Sequence, residues 1–176
     1  MRWSGARCWF RHDLTGEFSR IEGGGYVWFV RGCSGCRDLD FILKDPEVAL
    51  KTQAEIIKST DNCMLGRAAG CVIKRWSCRT VGDLLKECVR TSRARSAGLK
   101  ALELEQAGIS TAKPFAWGER QVLGFRVRSY LVMEDIPGGI DVGRWQGDRR
   151  AAMGRIGDLI GRLHQQGFAH RDLKPT

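Results

Sequence analysis

The sequence predicts an α+β fold in which an antiparallel sheet packs against one main helix and is followed by the start of a more helical region. Three observations lead to this prediction. Short β-rich runs follow one another between residues 54 and 76. A helical pattern then occupies about 81–107, and a second helical pattern follows the Pro-Gly-Gly sequence at 137–139.

The first half of the chain is expected to be mainly strands. GGGYVWFVRG (23–32) is typical of a glycine turn running into an aromatic strand, and Asp45-Pro46 opens a short helical turn. An antiparallel meander follows, because three short runs are joined by turn residues at Asp61-Asn62 and Ala69-Gly70. The three runs are 54–60, 62–70 and 71–76.

The second half is expected to run from a helix through a strand and a hinge to a second helix. From about Val81 to Ala107 the sequence is rich in Leu, Ala, Lys, Arg and Glu, and Gly108 ends the pattern in the manner of a C-cap. Pro114 breaks any helix, and 126–135 is predicted as a strand. Asp148 caps a last helix with one apolar stripe, formed by Ala152, Met153, Ile156, Leu159, Ile160 and Leu163.

Composition limits the possible partners and the compartment. No apolar run reaches the length of a membrane span, and the N-terminus is too charged for a secretory signal, which predicts a cytoplasmic location. The net charge of +9 favours an anionic partner such as a nucleotide, a phosphorylated glycolipid, a nucleic acid or an acidic membrane face. We expect an N-terminal extension with β-strands over 1–50, a sheet-containing lobe over 51–136, and a hinge with the start of a second lobe over 137–176.

Seven cysteines without a signal peptide predict reduced thiols and not a disulfide framework. Cys33 and Cys36 form one C-x-x-C, and Cys8 and His12 lie upstream at C-x-x-x-H spacing, so that a four-ligand zinc site can be drawn. A single C-x-x-C is a weak indication of zinc, and the alternative is a glycine-containing turn with free thiols.

The chain contains several parts that phosphoryl transfer requires. CVIKRW places Lys74 at the end of a strand, where a lysine can hold nucleotide phosphates; the alternative is a solvated lysine. YLVMED leads to a segment that would contact adenine, with Met133 behind the base and backbone groups near Asp135 and Ile136 as hydrogen-bonding partners. The whole nucleotide-binding stretch is Met133, Glu134, Asp135 and Ile136. A plain buried strand is the alternative.

HRDLK (170–174) is the most specific motif, and it has the composition of a catalytic loop. His170 would position the loop and Arg171 would brace it. Asp172 would orient and deprotonate the acceptor hydroxyl, and Lys174 could reach the transferring phosphate. The alternative is a polar loop after a helix.

The chain resembles the protein-kinase-like superfamily and, within it, the Kdo/WaaP lipopolysaccharide kinase family. The resemblance rests on VIKRW, on SRARSAGLKALELEQAGISTAKPFAWGE (92–119), on RSYLVMEDIPGG (128–139) and on LHQQGFAHRDLK (163–174). It implies a protein-kinase-like N-lobe and the first part of a helical C-lobe. It also implies that ATP and Mg²⁺ are used to phosphorylate heptose or Kdo of the lipopolysaccharide inner core. The enzyme would act at the cytoplasmic face of the inner membrane, peripheral to it, with no nucleic-acid partner.

Three departures from the kinase pattern matter. There is no G-x-G-x-x-G, so Ser59, Thr60 and backbone amides are the candidates to cover the phosphates. The helix glutamate that should pair with Lys74 is not obvious: Glu105 is the first choice and Glu87 its rival. The magnesium-binding asparagine and aspartate would lie after Thr176, so we expect an N-terminal fragment that does not turn over by itself.

Two other functions fit the same residues. One is an atypical protein kinase or small-molecule kinase. The other is a non-catalytic, basic pseudokinase-like module that binds nucleic acid or an anionic membrane through a basic patch on the main helix. Its residues would be Lys86, Arg90, Arg93, Arg95 and Lys100.

Overall fold

The computed structural model describes residues 17–32, 39–68, 70–139 and 144–169. Its strands are β1 (Phe18–Gly23), β2 (Tyr26–Arg31), β3 (Glu55–Ser59), β4 (Cys63–Ala68), β5 (Cys71–Ser77), β6 (Pro114–Val122) and β7 (Phe125–Glu134). Its helices are α1 (Leu39–Lys44), α2 (Pro46–Thr52), α3 (Val81–Val89), α4 (Arg93–Gln106) and α5 (Arg149–Gln165). The α+β prediction is confirmed.

The strands form a single antiparallel sheet in the order β1-β2-β6-β7-β5-β4-β3. The predicted meander is confirmed as β3, β4 and β5, which pair consecutively. β5 therefore lies between β4 and β7, well inside the sheet. Because β2 pairs with β6, the sheet continues across residue 50, where the sequence suggests the end of an N-terminal extension.

Helices α1 and α2 cover one face of the sheet. Asp45 caps α2 as expected, since its carboxylate accepts hydrogen bonds from the backbone N–H groups of Glu47 and Val48 at 3.1 Å. The core on this face joins Ile42 of α1 and Leu50 of α2 to strand residues that are likewise buried. Fully buried apolar side chains of this kind supply most of the driving force for such packing.

Helix α4 covers the opposite face. The prediction of one helix over 81–107 is wrong, because the chain leaves the helix after Val89 and begins a new one at Arg93. Ser92 is fully buried, and its hydroxyl accepts a hydrogen bond from the Arg95 N–H at 3.2 Å. Serine favours a helix N-terminus over a helix interior, so it restarts the helix here.

A glycine lets α4 approach the sheet closely. A Cβ on Gly98 would lie 2.6 Å from the Trp117 ring, which packs directly on the helix backbone. Trp117 also contacts Phe18 and Phe29, with ring centroids 4.4 and 5.9 Å away. Together with Ala94, Leu102 and Leu131, these residues make a second core between α4 and the sheet.

The sequence missed three elements: β1, α1 and β6. Strand β1 exposes five of its six residues, so no alternation of polar and apolar residues marks it. β6 begins at Pro114, which sits at the first position of the strand, where a missing N–H is tolerated. α1 is only six residues long, too short for a clear helical period.

The last described element, α5, begins as predicted. Asp148 accepts hydrogen bonds from the N–H groups of Arg150 and Ala151 at 2.9 and 3.1 Å. Gly167, with φ of 81°, follows its C-cap at Gln166. No residue of α5 is buried.

The thiols differ in part from expectation. Cys63 and Cys78 are free, whereas Cys71 is disulfide-bonded. The expectation of reduced thiols is therefore wrong at Cys71, because a count of cysteines carries no information on which of them the fold brings together. Burial, and secondarily the nearby Glu87 carboxylate, raise the pKa of the Cys78 thiol.

Candidate active site

Lys74 lies on β5 and projects to the face of the sheet that α4 covers. Side chains alternate along a strand, so Ile73 and Arg75 belong to the face of α1 and α2. Val72, Lys74 and Trp76 share the other face. The Lys74 Nζ lies 4.9 Å from the centre of the Trp76 ring, within the range of a cation–π interaction.

Neither glutamate proposed for Lys74 contacts it. Glu105 instead receives two hydrogen bonds from Arg31, at 2.9 and 3.3 Å, and this pairing raises the pKa of the guanidinium. Glu87 faces Arg126 and Arg93, at 3.5 and 3.8 Å. Within the described residues, Lys74 therefore has no carboxylate partner. Arg31 lies 74 residues before Glu105, so no local sequence signal could have indicated that pair.

The end of β7 has the geometry of a strand that leads into a hinge. Met133 is paired with Val72, and Glu134 with Cys71, at the start of the lysine-bearing strand. The Asp135 N–H donates to the Gly70 carbonyl at 3.3 Å, so it is already engaged. Among the described residues, no partner engages the N–H of Ile136, so this group is free to donate to a ligand.

The carboxylates of Glu134 and Asp135 accept hydrogen bonds from other parts of the protein. Glu134 accepts a hydrogen bond from the Lys113 N–H at 3.3 Å, next to the start of β6. Asp135 accepts one from the Arg67 Nε at 3.0 Å, which ties the hinge to β4 and raises the pKa of Arg67. Both carboxylates are thus engaged within the protein. A contact of Glu134 or Asp135 with a nucleotide is therefore expected from the backbone and not from the side chain.

The turn between β3 and β4 contains the two hydroxyls proposed to cover phosphates. Thr60 donates through both its N–H and its hydroxyl to the Cys63 carbonyl, at 2.8 and 3.1 Å. The Thr60 hydroxyl therefore closes the turn. Ser59 is exposed at the end of β3.

Several predicted site residues fall outside the described part of the chain. They are His170, Arg171, Asp172 and Lys174 of the catalytic-type loop, and Cys8, His12, Cys33 and Cys36 of the possible zinc site. Within the described ranges, no group of three or more His, Cys, Asp or Glu side chains could hold a metal. No helix of those ranges is both long and apolar enough to cross a bilayer.

The described residues fit a nucleotide. Lys74 has an ammonium group that no carboxylate of the described residues neutralises, half-buried Val72 and Met133 lie side by side next to the hinge, and Ile136 offers a backbone donor. Sequence reasoning missed Trp76, whose ring lies beside the Lys74 ammonium group. Trp76 lies two residues after Lys74 on the same strand, so the alternation of side chains already predicts that both share one face.

Comparison with known proteins gives the family. Residues 72–176, more than half of the chain, match the lipopolysaccharide kinase (Kdo/WaaP) family. A solved structure described as WaaP in complex with acyl carrier protein is similar, with a TM-score of 0.46 and 18% sequence identity over 72% of this chain. The match spans 53% of that protein, so this chain covers about half of its length. No curated protein matches the chain. By the family match, the chain belongs to the lipopolysaccharide kinase (Kdo/WaaP) family.

Proposed function

We propose that this protein is an ATP-dependent phosphotransferase that phosphorylates a sugar, heptose or Kdo, of the lipopolysaccharide inner core. The main support is that the family match runs from Val72 through the HRDLK motif, and so includes both Lys74 and Asp172. The position of Lys74 on a central strand, with no competing carboxylate among the described residues, supports the same proposal.

Each residue has a separate role in this proposal. Lys74 holds the nucleotide phosphates, and Trp76 limits where its ammonium group can lie. Val72 and Met133 contact the base, and the Ile136 N–H donates to it. ATP would supply the phosphoryl group, and Mg²⁺, when bound, would neutralise the charge of its phosphates.

The HRDLK residues act on the acceptor. Asp172 accepts the proton of the attacking sugar hydroxyl, and Lys174 stabilises charge on the transferring phosphate. His170 and Arg171 hold the loop. The acceptor is part of a membrane glycolipid, so we propose that the protein is peripheral to the cytoplasmic face of the inner membrane.

Nucleotide affinity tests the role of Lys74. The Lys74→Met variant loses a charge-assisted hydrogen bond to phosphate, which corresponds to roughly 10- to 100-fold weaker ATP binding. Calorimetry measures the ATP affinity of this variant and of Lys58→Met, a matched control on the exposed strand β3. If both variants bind ATP as the parent does, Lys74 is not in the site.

Phosphoryl transfer tests Asp172 and the substrate. In the full-length protein, Asp172→Asn should lower transfer about 10²- to 10⁴-fold and leave ATP affinity nearly unchanged. The assay follows phosphate transfer to deacylated inner-core lipopolysaccharide. Transfer at the parental rate would contradict the role of Asp172. Transfer by the parent to protein or small-molecule acceptors alone would favour the atypical kinase function.

A further inference from the structure

Large aliphatic and aromatic side chains are exposed at one end of the sheet. Val81, Leu85 and Val89 follow one another every four residues along α3 and are 73, 60 and 89% exposed. At the turn between β6 and β7, Leu123 is 93% exposed and Phe125 is 46% exposed. We call these five residues the apolar ridge. Exposed apolar side chains on neighbouring elements commonly mark a site of protein or membrane contact.

Hydrogen bonds hold the two halves of the ridge together. Arg126, the residue after Phe125, donates to the carbonyls of Glu87 and Arg90 at the end of α3, both at 2.8 Å. Arg126 also bonds Glu119 of β6 at 2.8 Å. The end of α3 is therefore tied to the start of β7 beside the turn.

The turn between β6 and β7 places a positive φ and an exposed apolar side chain at one residue, Leu123. Val122 pairs with Phe125, so Leu123 and Gly124 form a two-residue turn with φ of 51° and 81°. Such turns have a strong preference for Asn-Gly, because asparagine tolerates positive φ far better than leucine does. Leu123 thus combines a strained backbone with an exposed apolar side chain, as is common at functional sites.

Unpaired cations lie beside the ridge. Lys86 and Arg90 are exposed and form no ion pair with any residue in the described ranges. Together with Arg126, Arg128 and Arg93, they line a polar cleft between α3, β5 and β7, whose acidic members are Asp83 and Glu87. Arg126, Arg128 and Arg93 are paired with Glu87, Glu119 or Glu47, so Lys86 and Arg90 are the cations of this cleft that could attract phosphate groups.

We propose that the apolar ridge and its basic flank form the surface that binds the headgroup region of an anionic lipid bilayer. Aliphatic side chains beside lysine and arginine match a bilayer interface, where acyl chains take the apolar groups and phosphates take the cations. A nucleic acid offers the cations a partner but gives Leu123 and Val89 none. The inference rests on the proposed peripheral association and is independent of the phosphotransfer chemistry.

Vesicle binding tests the surface. The full chain is floated with phosphatidylglycerol-containing vesicles and, in parallel, with pure phosphatidylcholine vesicles. The key variant, Leu123→Asn, places the preferred residue in the turn, so it should keep or raise the unfolding temperature. It should nevertheless weaken partitioning about five- to tenfold, because an apolar anchor is lost. Val89→Gln should act similarly at the exposed end of α3.

Charge and position are controlled separately. Lys86→Glu should weaken binding to the anionic vesicles at least ~5-fold, the equivalent of about 1 kcal/mol per charge. Ile57→Thr on β3 and Lys51→Glu on α2 alter exposed residues elsewhere and should leave binding unchanged.

Several outcomes would overturn the inference. They are failure of the parent to bind anionic vesicles, unaltered binding by Leu123→Asn and Val89→Gln, or binding of duplex DNA or an acidic protein without binding of vesicles. Transfer to the water-soluble, deacylated acceptor is measured for the same ridge variants in the full-length protein. Normal transfer with lost vesicle binding identifies a membrane surface, whereas parental vesicle binding without any transfer contradicts only the proposed kinase function.

Discussion

Helices α4 and α5 both begin at a capping side chain and both carry apolar residues, but only α4 buries them against the sheet. They contain 14 and 17 residues, and each begins at a side chain that caps its first turn, Ser92 for α4 and Asp148 for α5. α4 buries Ala94, Gly98 and Leu102 against the sheet. α5 has an apolar stripe too, but no residue of it is buried, and Met153 is 53% exposed.

The difference shows what an amphipathic pattern can predict. Periodic apolar residues determine that a segment forms a helix and which side of it is apolar. Whether that side is buried depends on a partner surface, and for α4 the partner is β5, β6 and β7. Stability should therefore respond to substitutions in α4 much more than to matched substitutions in α5.

Removal of a core leucine should produce the largest contrast. Leu102→Ala opens a cavity beside Trp117 and Leu131, and we expect it to lower the free energy of unfolding by about 2–5 kcal/mol. Leu163→Ala in α5 removes a half-exposed leucine, and the loss should be below about 1 kcal/mol. Urea denaturation measures both. Equal losses would show that α5 is packed as tightly as α4.

Replacement of a glycine by alanine should lower the stability in α4 and raise it in α5. In Gly98→Ala the new methyl would lie 2.6 Å from the Trp117 ring, and the displacement should cost about 1–3 kcal/mol. At Gly157 of α5 no atom outside the adjacent helix backbone lies within 4 Å of the added methyl, so Gly157→Ala should stabilise that helix by about 0.5–1 kcal/mol. Thermal unfolding and far-ultraviolet circular dichroism distinguish them. A neutral Gly98→Ala would mean that Trp117 can move away without cost.

A smaller effect on stability, which depends on pH, is expected at the start of α3. Thr80 and Asp83 form the helix cap there. Hydrogen bonds to the Thr80 side chain, and then to backbone N–H groups, lower the pKa of Asp83 from its usual 3.8. The ionised carboxylate therefore stabilises α3 above pH 3.8, and this contribution is lost as the pH falls through the lowered pKa. The Ser92 hydroxyl that caps α4 does not titrate in this range.

Amide chemical shifts followed from neutral to acid pH should report the loss of the α3 cap. Those of the first turn of α3 should move below pH 3.8, and those at the start of α4 should not. Asp83→Asn is the control, because it retains the side-chain oxygen and removes the titration. An unchanged transition in that variant would assign the effect to another group.

Local signals account for much of the fold. The sequence predicts helix starts at Asp45 and Asp148, and both side chains accept the expected backbone hydrogen bonds. The β3–β4–β5 meander follows from turn residues a few positions apart. The break of the long helix at Ser92 was missed, although serine prefers a cap, because a continuous apolar pattern can hide a short interruption.

The sequence by itself determined the β3–β4–β5 meander, the position of Lys74 on a strand and the motif at 170–174, since each depends on neighbours in the chain. Only the tertiary structure decided which charges meet. The partner of Glu105 is Arg31, 74 residues away, and Lys74 lies over Trp76 without a carboxylate among the described residues. Long side chains reach several ångströms beyond the backbone, so their partners depend on how distant strands and helices are packed, which spacing along the chain does not encode.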